Sequence, residues 1–157
     1  MKFRSPNSIP DLYNVFDILK PISNLYPDFH NWYWDKVVPG IILNDDKIII
    51  AENKFEIIGV SIIKKADNEK KLRALRINDK YQKSGAGLYL MDQSLKELGV
   101  DKPLVSVAEE MINEYSRMFI NRYDFRMTHV YNGLYRKNNL EYEFNGTKDL
   151  KTKTIAF

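Results

Sequence analysis

The spacing of apolar positions changes character several times along the chain, and each change predicts an element. Residues 2–4 read as a short edge strand. From Ser8 the period becomes helical, with Leu12, Phe16 and Leu19 recurring at helical spacing through to Lys20. Ser8 is the candidate cap, Asp11 stands three residues later, Pro10 fits the first turn, and Pro21 helps to stop the run. A second helix is expected from Asp28 to about Val38. Phe29, Trp32, Lys36 and Val37 share one side, and Pro39-Gly40 ends it.

The middle of the chain switches to a strand period. Residues 47–51 and 55–64 are β-branched runs, and residues 72–77 alternate apolar and basic, as a strand with two unlike faces does. Short connections make these three an antiparallel meander. Residues 85–98 return to helical spacing, with Leu88, Met91, Leu95 and Leu98 in one stripe and Gly99 at the C′ position. A short strand over 104–107, a helix over 113–122 with Met118 and Phe119 inward, and two strands over 125–131 and 140–144 follow. Between those last strands both Asn132-Gly133 and Lys137-Asn138-Asn139 carry turn chemistry, and the sequence leaves the choice open. Residues 148–157 read as a loosely held tail. The order predicts a mixed α/β sheet with helices on both faces.

Composition narrows the chemistry. A chain of 157 residues fits one domain, 1–157. With no cysteine, a disulfide scaffold, a thiolate-held zinc and a thiol nucleophile are excluded. Only His30 and His129 are present, so no His-rich metal site is expected. The net charge of +3 is too small to announce a nucleic-acid or membrane partner. No signal-peptide core opens the chain and no apolar run nears the ~20 residues that cross a bilayer, so a cytoplasmic protein is expected.

The most informative segment is Tyr81-Gln82-Lys83-Ser84-Gly85-Ala86-Gly87, between a strand and a strongly periodic helix. Two glycines at alternate positions allow a tight turn and clear Cβ atoms from its concave side. Backbone N–H groups there can converge on one anion, the helix N-terminus adds partial positive charge, and Lys83 adds a mobile one. A pyrophosphate is a natural ligand. The preceding meander and the missing glycine fingerprints disfavour a dinucleotide-binding βαβ unit and a P-loop.

Leu75-Arg76-Ile77-Asn78 followed by Tyr81 to Leu88 resembles the central motif of the GCN5-related N-acetyltransferases (GNAT), [RQ]-x-x-G-x-[GA], with Gln82, Gly85 and Gly87 at its specified positions. The resemblance extends over nearly the whole chain. Residues 4–11 are similar to the family's opening strand and first helix, Asn113 through Phe125 to its second motif, and Gly133-Leu134-Tyr135 to the loop before its last strand. It implies a central mixed, mostly antiparallel sheet of about six to seven strands with about four flanking helices. It also implies acetyl-CoA (coenzyme A) as cofactor and direct acetyl transfer to a primary amine on a small molecule or protein. The alternatives are a coenzyme A sensor or interaction domain without turnover, and transfer to charged tRNA. A homodimer is allowed by the resemblance, and neither a membrane nor a nucleic acid is the expected partner.

Residue by residue, the resemblance puts the pantetheine arm and acetyl carbonyl on backbone groups of Leu75, Arg76 and Ile77. It puts the pyrophosphate on the loop Gln82, Lys83, Ser84, Gly85, Ala86, Gly87 and Leu88, and places Asn113 beside the cofactor arm. The family's usual acid, a Tyr five residues before the motif's Phe, is replaced here by Ile120, and its Gly by Asp124. A Tyr hydroxyl suits this task because a phenol and a thiol have neighbouring pKa values, and Tyr135 is the favoured substitute over Tyr123 and Tyr115 because the resemblance places it in the loop that faces the acceptor site. Glu109 and Glu110 are the candidate bases, with His30 and His129 also able to take a proton. Phe29, Trp32, Tyr33 and Trp34 can line an acceptor pocket or pack a core. Lys64-Lys65 and Lys70-Lys71 read as a solvated hairpin end, with an RNA-tracking patch as the alternative.

Overall fold

The computed structural model describes residues 1–147, so the expected tail at 148–157 lies outside the described residues. Strand β1 (Lys2–Arg4) leads into α1 (Ile9–Leu19). Ser8 caps that helix as expected, its Oγ accepting from the Asp11 N–H at 3.2 Å. The Asp11 carboxylate accepts from the Asn7 N–H and takes both terminal nitrogens of Arg4, at 2.6 and 3.0 Å, which pins the strand to the helix start. The Arg4 guanidinium holds the Asp11 carboxyl below the usual carboxylate range. Pro21 ends α1 in a 3₁₀ turn, Lys20–Asn24.

The second helical region runs over 29–42, longer than expected. It consists of α2 (Phe29–Trp32), a π-helical turn (Tyr33–Val37) and α3 (Val38–Ile42). Pro39-Gly40 therefore does not end it. Pro39 falls in the first turn of α3, where the missing N–H is tolerated, directly after the widened turn has reset the hydrogen-bond phase. The buried Tyr33 donates its hydroxyl to the Leu12 carbonyl at 2.6 Å and locks this region to α1.

Strands β2 (Asp46–Glu52), β3 (Ile57–Ala66) and β4 (Glu69–Ile77) form the predicted antiparallel meander, in the sheet order β1-β2-β3-β4. After a 3₁₀ turn at Asp79–Tyr81 comes α4 (Ala86–Leu98), then β5 (Val105–Ala108) and α5 (Ile112–Ser116). A π-helical turn, Arg117–Arg122, extends α5. Strands β6 (Met127–Asn132) and β7 (Leu140–Phe144) complete a second sheet in the order β5-β7-β6. The β6–β7 connection uses both turn signals. Gly133 (φ +82°) opens a long loop, Asn138 (φ +63°) turns its far end, and the Gly133 N–H donates to the Asn139 carbonyl.

Two hydrophobic clusters lie on opposite faces of this split sheet. Period two along β2 sends Ile48 and Ile50 to one cluster and Ile49 and Ala51 to the other. Val15, Leu19, Phe29, Tyr33 and Val37 of the first helices build the first. Leu90, Met91 and Leu98 of α4, with Phe119 and Phe125, build the second. On α4 the buried face is centred on Leu90, Met91, Ser94 and Leu98, while Leu88 and Leu95 sit at its margins. Tyr142 and Phe144 of β7 enter the α4 cluster, so the alternate residues Glu141 and Glu143 face the α1–α3 side.

Candidate active site

The site begins as a fork in the sheet. Strands β4 and β5 run parallel and touch only at their start: the Leu72 N–H donates to the Leu104 carbonyl and the Leu104 N–H to the Lys70 carbonyl, both at 2.9 Å. Directly beyond, the register of β4 against β3 slips, leaving Arg73 as an extra residue between the Leu72 and Ala74 pairs. A bulge of this kind bends its strand. Arg73 is held there by Asp46 at 2.7 Å and by the face of Trp32. Past the bulge, β4 and β5 share no hydrogen bond among the described residues. The Asn78 N–H donates to Ile58 on β3. By the two-residue period, the backbone of Arg76 also faces β3, while the backbone groups of Leu75 and Ile77 face the fork.

The glycine loop closes the end of the fork. Gln82 Nε2 reaches back to the Ile77 carbonyl (3.4 Å) and to Asp79 (3.2 Å), fastening loop to strand. Lys83 (φ +62°) and Gly85 (φ +87°) both take left-handed backbone, which turns successive N–H groups to one side. A Cβ built on Gly85 meets nothing within 4 Å, so the space beside it is open. The Ala86 N–H is taken by Ser84 Oγ and the Leu88 N–H by the Gly85 carbonyl. Those of Lys83, Gly85 and Gly87 have no partner among the described residues, and the Lys83 ammonium makes no ion pair there. Three free donors, a lysine and the start of a helix of 13 residues make an anion cradle.

On the α1–α3 face, beside β5, lies a polar cluster centred on Glu141. This residue is 3% exposed. Its Oε1 accepts a 2.6 Å hydrogen bond from Tyr26, in the linker between α1 and α2. The Tyr26 ring meets Tyr135 of the β6–β7 loop edge-on, with ring centroids 5.2 Å apart. Burial pushes the Glu141 carboxyl up to about 7, opposed by Tyr26, Ser106 of β5, Arg136 and Lys71. Burial and the Glu141 charge push the Tyr135 phenol up, and burial pushes the Lys71 ammonium down.

No family model matches the sequence, and no curated protein does. Solved structures do match. One is a protein from Desulfovibrio desulfuricans described as an acetyltransferase of the GNAT family: TM-score 0.71, 16% identity, 91% of this chain and 96% of the other covered. Another is the ribosomal-protein-S18-alanine N-acetyltransferase of Escherichia coli, with TM-score 0.68, 14% identity and 99% of each chain covered. A GNAT-family acetyltransferase from Elizabethkingia anophelis, solved with acetyl-CoA bound, matches at TM-score 0.62 and 15% identity over 91% of this chain and 95% of its own. This chain has the GNAT acetyltransferase fold. The β4–β5 fork and the glycine loop are thus features of a GNAT-fold domain, as the Gln82–Gly87 motif implied.

Within that fold the sequence-derived candidates separate. Tyr135 stands at the polar cluster. Tyr123 does not: its hydroxyl donates to Asp92 on α4 at 2.7 Å, which turns it to the other side of the sheet. Tyr115 packs against Phe119 in the α4 cluster. Glu110 is paired with Arg136 at 2.7 Å, which draws its carboxyl below the usual range and makes it a poor proton acceptor. Glu109 accepts from the Asn139 side chain. Asn113 is exposed at the start of α5, and Ile120 is 45% exposed. His30 packs edge-on against Phe16, and the His129 ring is tilted against Tyr131. Phe29 and Tyr33 are buried in the core, with Trp32 and Trp34 packed against it. Sequence reasoning missed Tyr26 and Glu141. The one available signal was Glu141 and Glu143 at alternate positions of an otherwise apolar strand, which puts two carboxyls on one face. Among the described residues no group of His, Asp and Glu is arranged to hold a metal, and no helix is long and apolar enough to cross a membrane.

Proposed function

We propose that this protein is an acetyl-CoA-dependent N-acetyltransferase that acetylates a primary amine directly. The observation that carries the reading is the open β4–β5 fork ending in an anion cradle with three N–H groups that have no partner among the described residues. Bound acetyl-CoA supplies the activated acetyl group as a thioester. The N–H groups of Lys83, Gly85 and Gly87, with the Lys83 ammonium, hold the pyrophosphate, and Gln82 and Ser84 shape the loop around it. Backbone groups of Leu75 and Ile77 align the pantetheine arm along β4, taking the place of the strand partner that β5 no longer provides. Asn113, exposed at the start of α5, supports the arm. Tyr135 donates a proton to the leaving thiolate; burial and the Glu141 charge push its phenol up, so the hydroxyl holds the proton to be given.

The test is release of free coenzyme A thiol from acetyl-CoA with a panel of polyamines, aminoglycosides and peptides with free N-termini. Amine-dependent release is the expected result. Coenzyme A binding without release against the whole panel would instead favour a sensor domain, and no binding at millimolar acetyl-CoA would sink both readings.

A further inference from the structure

Amine attack requires that an ammonium first lose a proton, and the two glutamates expected for that task are engaged elsewhere, Glu110 by Arg136 and Glu109 by Asn139. Resting on the transferase reading above, we propose that Tyr26 and Glu141 together accept this proton, Tyr26 Oη meeting the amine and Glu141 holding the proton behind it. The geometry is that of a two-step relay. Tyr26 is half-buried as a residue and its hydroxyl hydrogen points at Glu141 Oε1, 2.6 Å away; burial and the Glu141 charge push its phenol well up, so it passes a proton on and does not ionise. Glu141 is fully enclosed and cannot meet an acceptor itself. A proton arriving on Tyr26 Oη displaces the phenolic hydrogen onto Glu141, and the phenol is regenerated in the same movement.

The surroundings suit a carboxyl that gains and loses a proton near neutrality. Facing it are Tyr135 and Arg136 from the β6–β7 loop, Lys71 from β4 and Ser106 from β5, and the charges of Arg73 and Glu143 act on the neighbouring Tyr135 and Lys71. Glu143 is tied to Tyr131 at 3.2 Å and Thr128 at 3.4 Å, leaving Glu141 as the carboxyl joined to the half-buried Tyr26. The balance closes. The ammonium gives one proton to the Tyr26–Glu141 pair. The nitrogen–carbon bond forms as the carbon–sulfur bond breaks, and the sulfur takes the Tyr135 proton. The second proton leaving the nitrogen restores Tyr135, and Glu141 returns its own to solvent.

Glu141→Gln keeps an acceptor for the Tyr26 hydroxyl but cannot take a proton. It should lower kcat by roughly 100-fold or more with coenzyme A affinity unchanged, and it should remove the limb of the kcat profile that rises toward pH 7. Tyr26→Phe should slow kcat comparably. Infrared titration adds a readout independent of turnover: a carboxylic acid band that disappears between pH 5 and 8 in the wild type and is missing in Glu141→Gln. An unaltered pH profile in Glu141→Gln, or a Tyr26→Phe change confined to KM, overturns the pair. A wild type that shows the infrared titration but acetylates no amine overturns the transferase reading and the pair's role with it. Absence of the band in a folded wild type overturns the pair alone, whatever the turnover.

Discussion

Gly85 sits where backbone conformation and ligand chemistry meet. Its φ of +87° lies in the left-handed region, and an added Cβ finds no atom within 4 Å. Any other residue there therefore carries a backbone penalty of about 1 kcal/mol and no steric one. Gly85→Ala and Gly85→Glu should lose similar stability, a few degrees in a thermal melt. Only the second puts a carboxylate at the cradle. At ~6 Å from a phosphate charge and an effective dielectric constant of ~20, repulsion is about 3 kcal/mol, a loss of roughly 100-fold in affinity. Calorimetric titration of both variants with coenzyme A checks this. Equal affinities would remove the loop from the binding site. The glycine was legible in the sequence because a backbone requirement selects one residue type. Glu141 was not, because a glutamate in a strand acquires its chemistry only when Tyr26, 115 positions away, closes over it.

At the level of elements, the fork depends on how closely α4 can approach β3 and β4. Gly59 sets that distance. It pairs with Ile77, and a Cβ there would lie 2.6 Å from Ile77 Cδ1, 3.0 Å from the Arg76 carbonyl oxygen and 3.2 Å from Leu90. The isoleucine can rotate aside, but the carbonyl belongs to the sheet and cannot. Gly59→Ala should cost about 1–3 kcal/mol, read as a lower denaturation midpoint, and should weaken coenzyme A binding because Ile77 lines the fork. A midpoint equal to that of the wild type would refute the packing argument. The order of elements was readable from period changes, since helix and strand spacings are local. The bulge at Arg73 was not, because it exists only relative to the β3 register. Nor was the passage through Pro39-Gly40, where a π-helical turn absorbs what the residue types alone mark as a stop.

At the scale of the whole molecule, the divided sheet assigns a different chemistry to each face. The α4 face gives the fork its anion cradle. The α1–α3 face, closed by aromatic packing of Phe16, Phe29 and Tyr33, encloses a carboxyl beside the same fork. The net charge of +3 says nothing of this arrangement. What matters is Lys83, without an ion pair among the described residues, on the first face and a buried acid on the second, brought together by nonlocal strand pairing.

That buried acid also marks the stability of the fold against pH. The Glu141 carboxyl is raised from 4.5 to about 7 by burial, so the folded chain keeps a proton that the unfolded chain releases. Its contribution is complete below the unfolded value and is lost as pH rises through the folded one. The difference corresponds to roughly 3 kcal/mol. Asp11, Glu97 and Glu110 act in the opposite sense, since their carboxyls are lowered by Arg4, Lys47 and Arg136 and their contributions fade only under acid conditions. The wild type should therefore lose stability steadily from pH 5 to 8, a range in which those three stay ionised. Glu141→Gln removes the titration while keeping the Tyr26 hydrogen bond, so its curve should be flatter over the same range and should cross that of the wild type on the alkaline side. Urea unfolding at a series of pH values reads both curves, and parallel curves would show that Glu141 is ionised in the folded protein throughout.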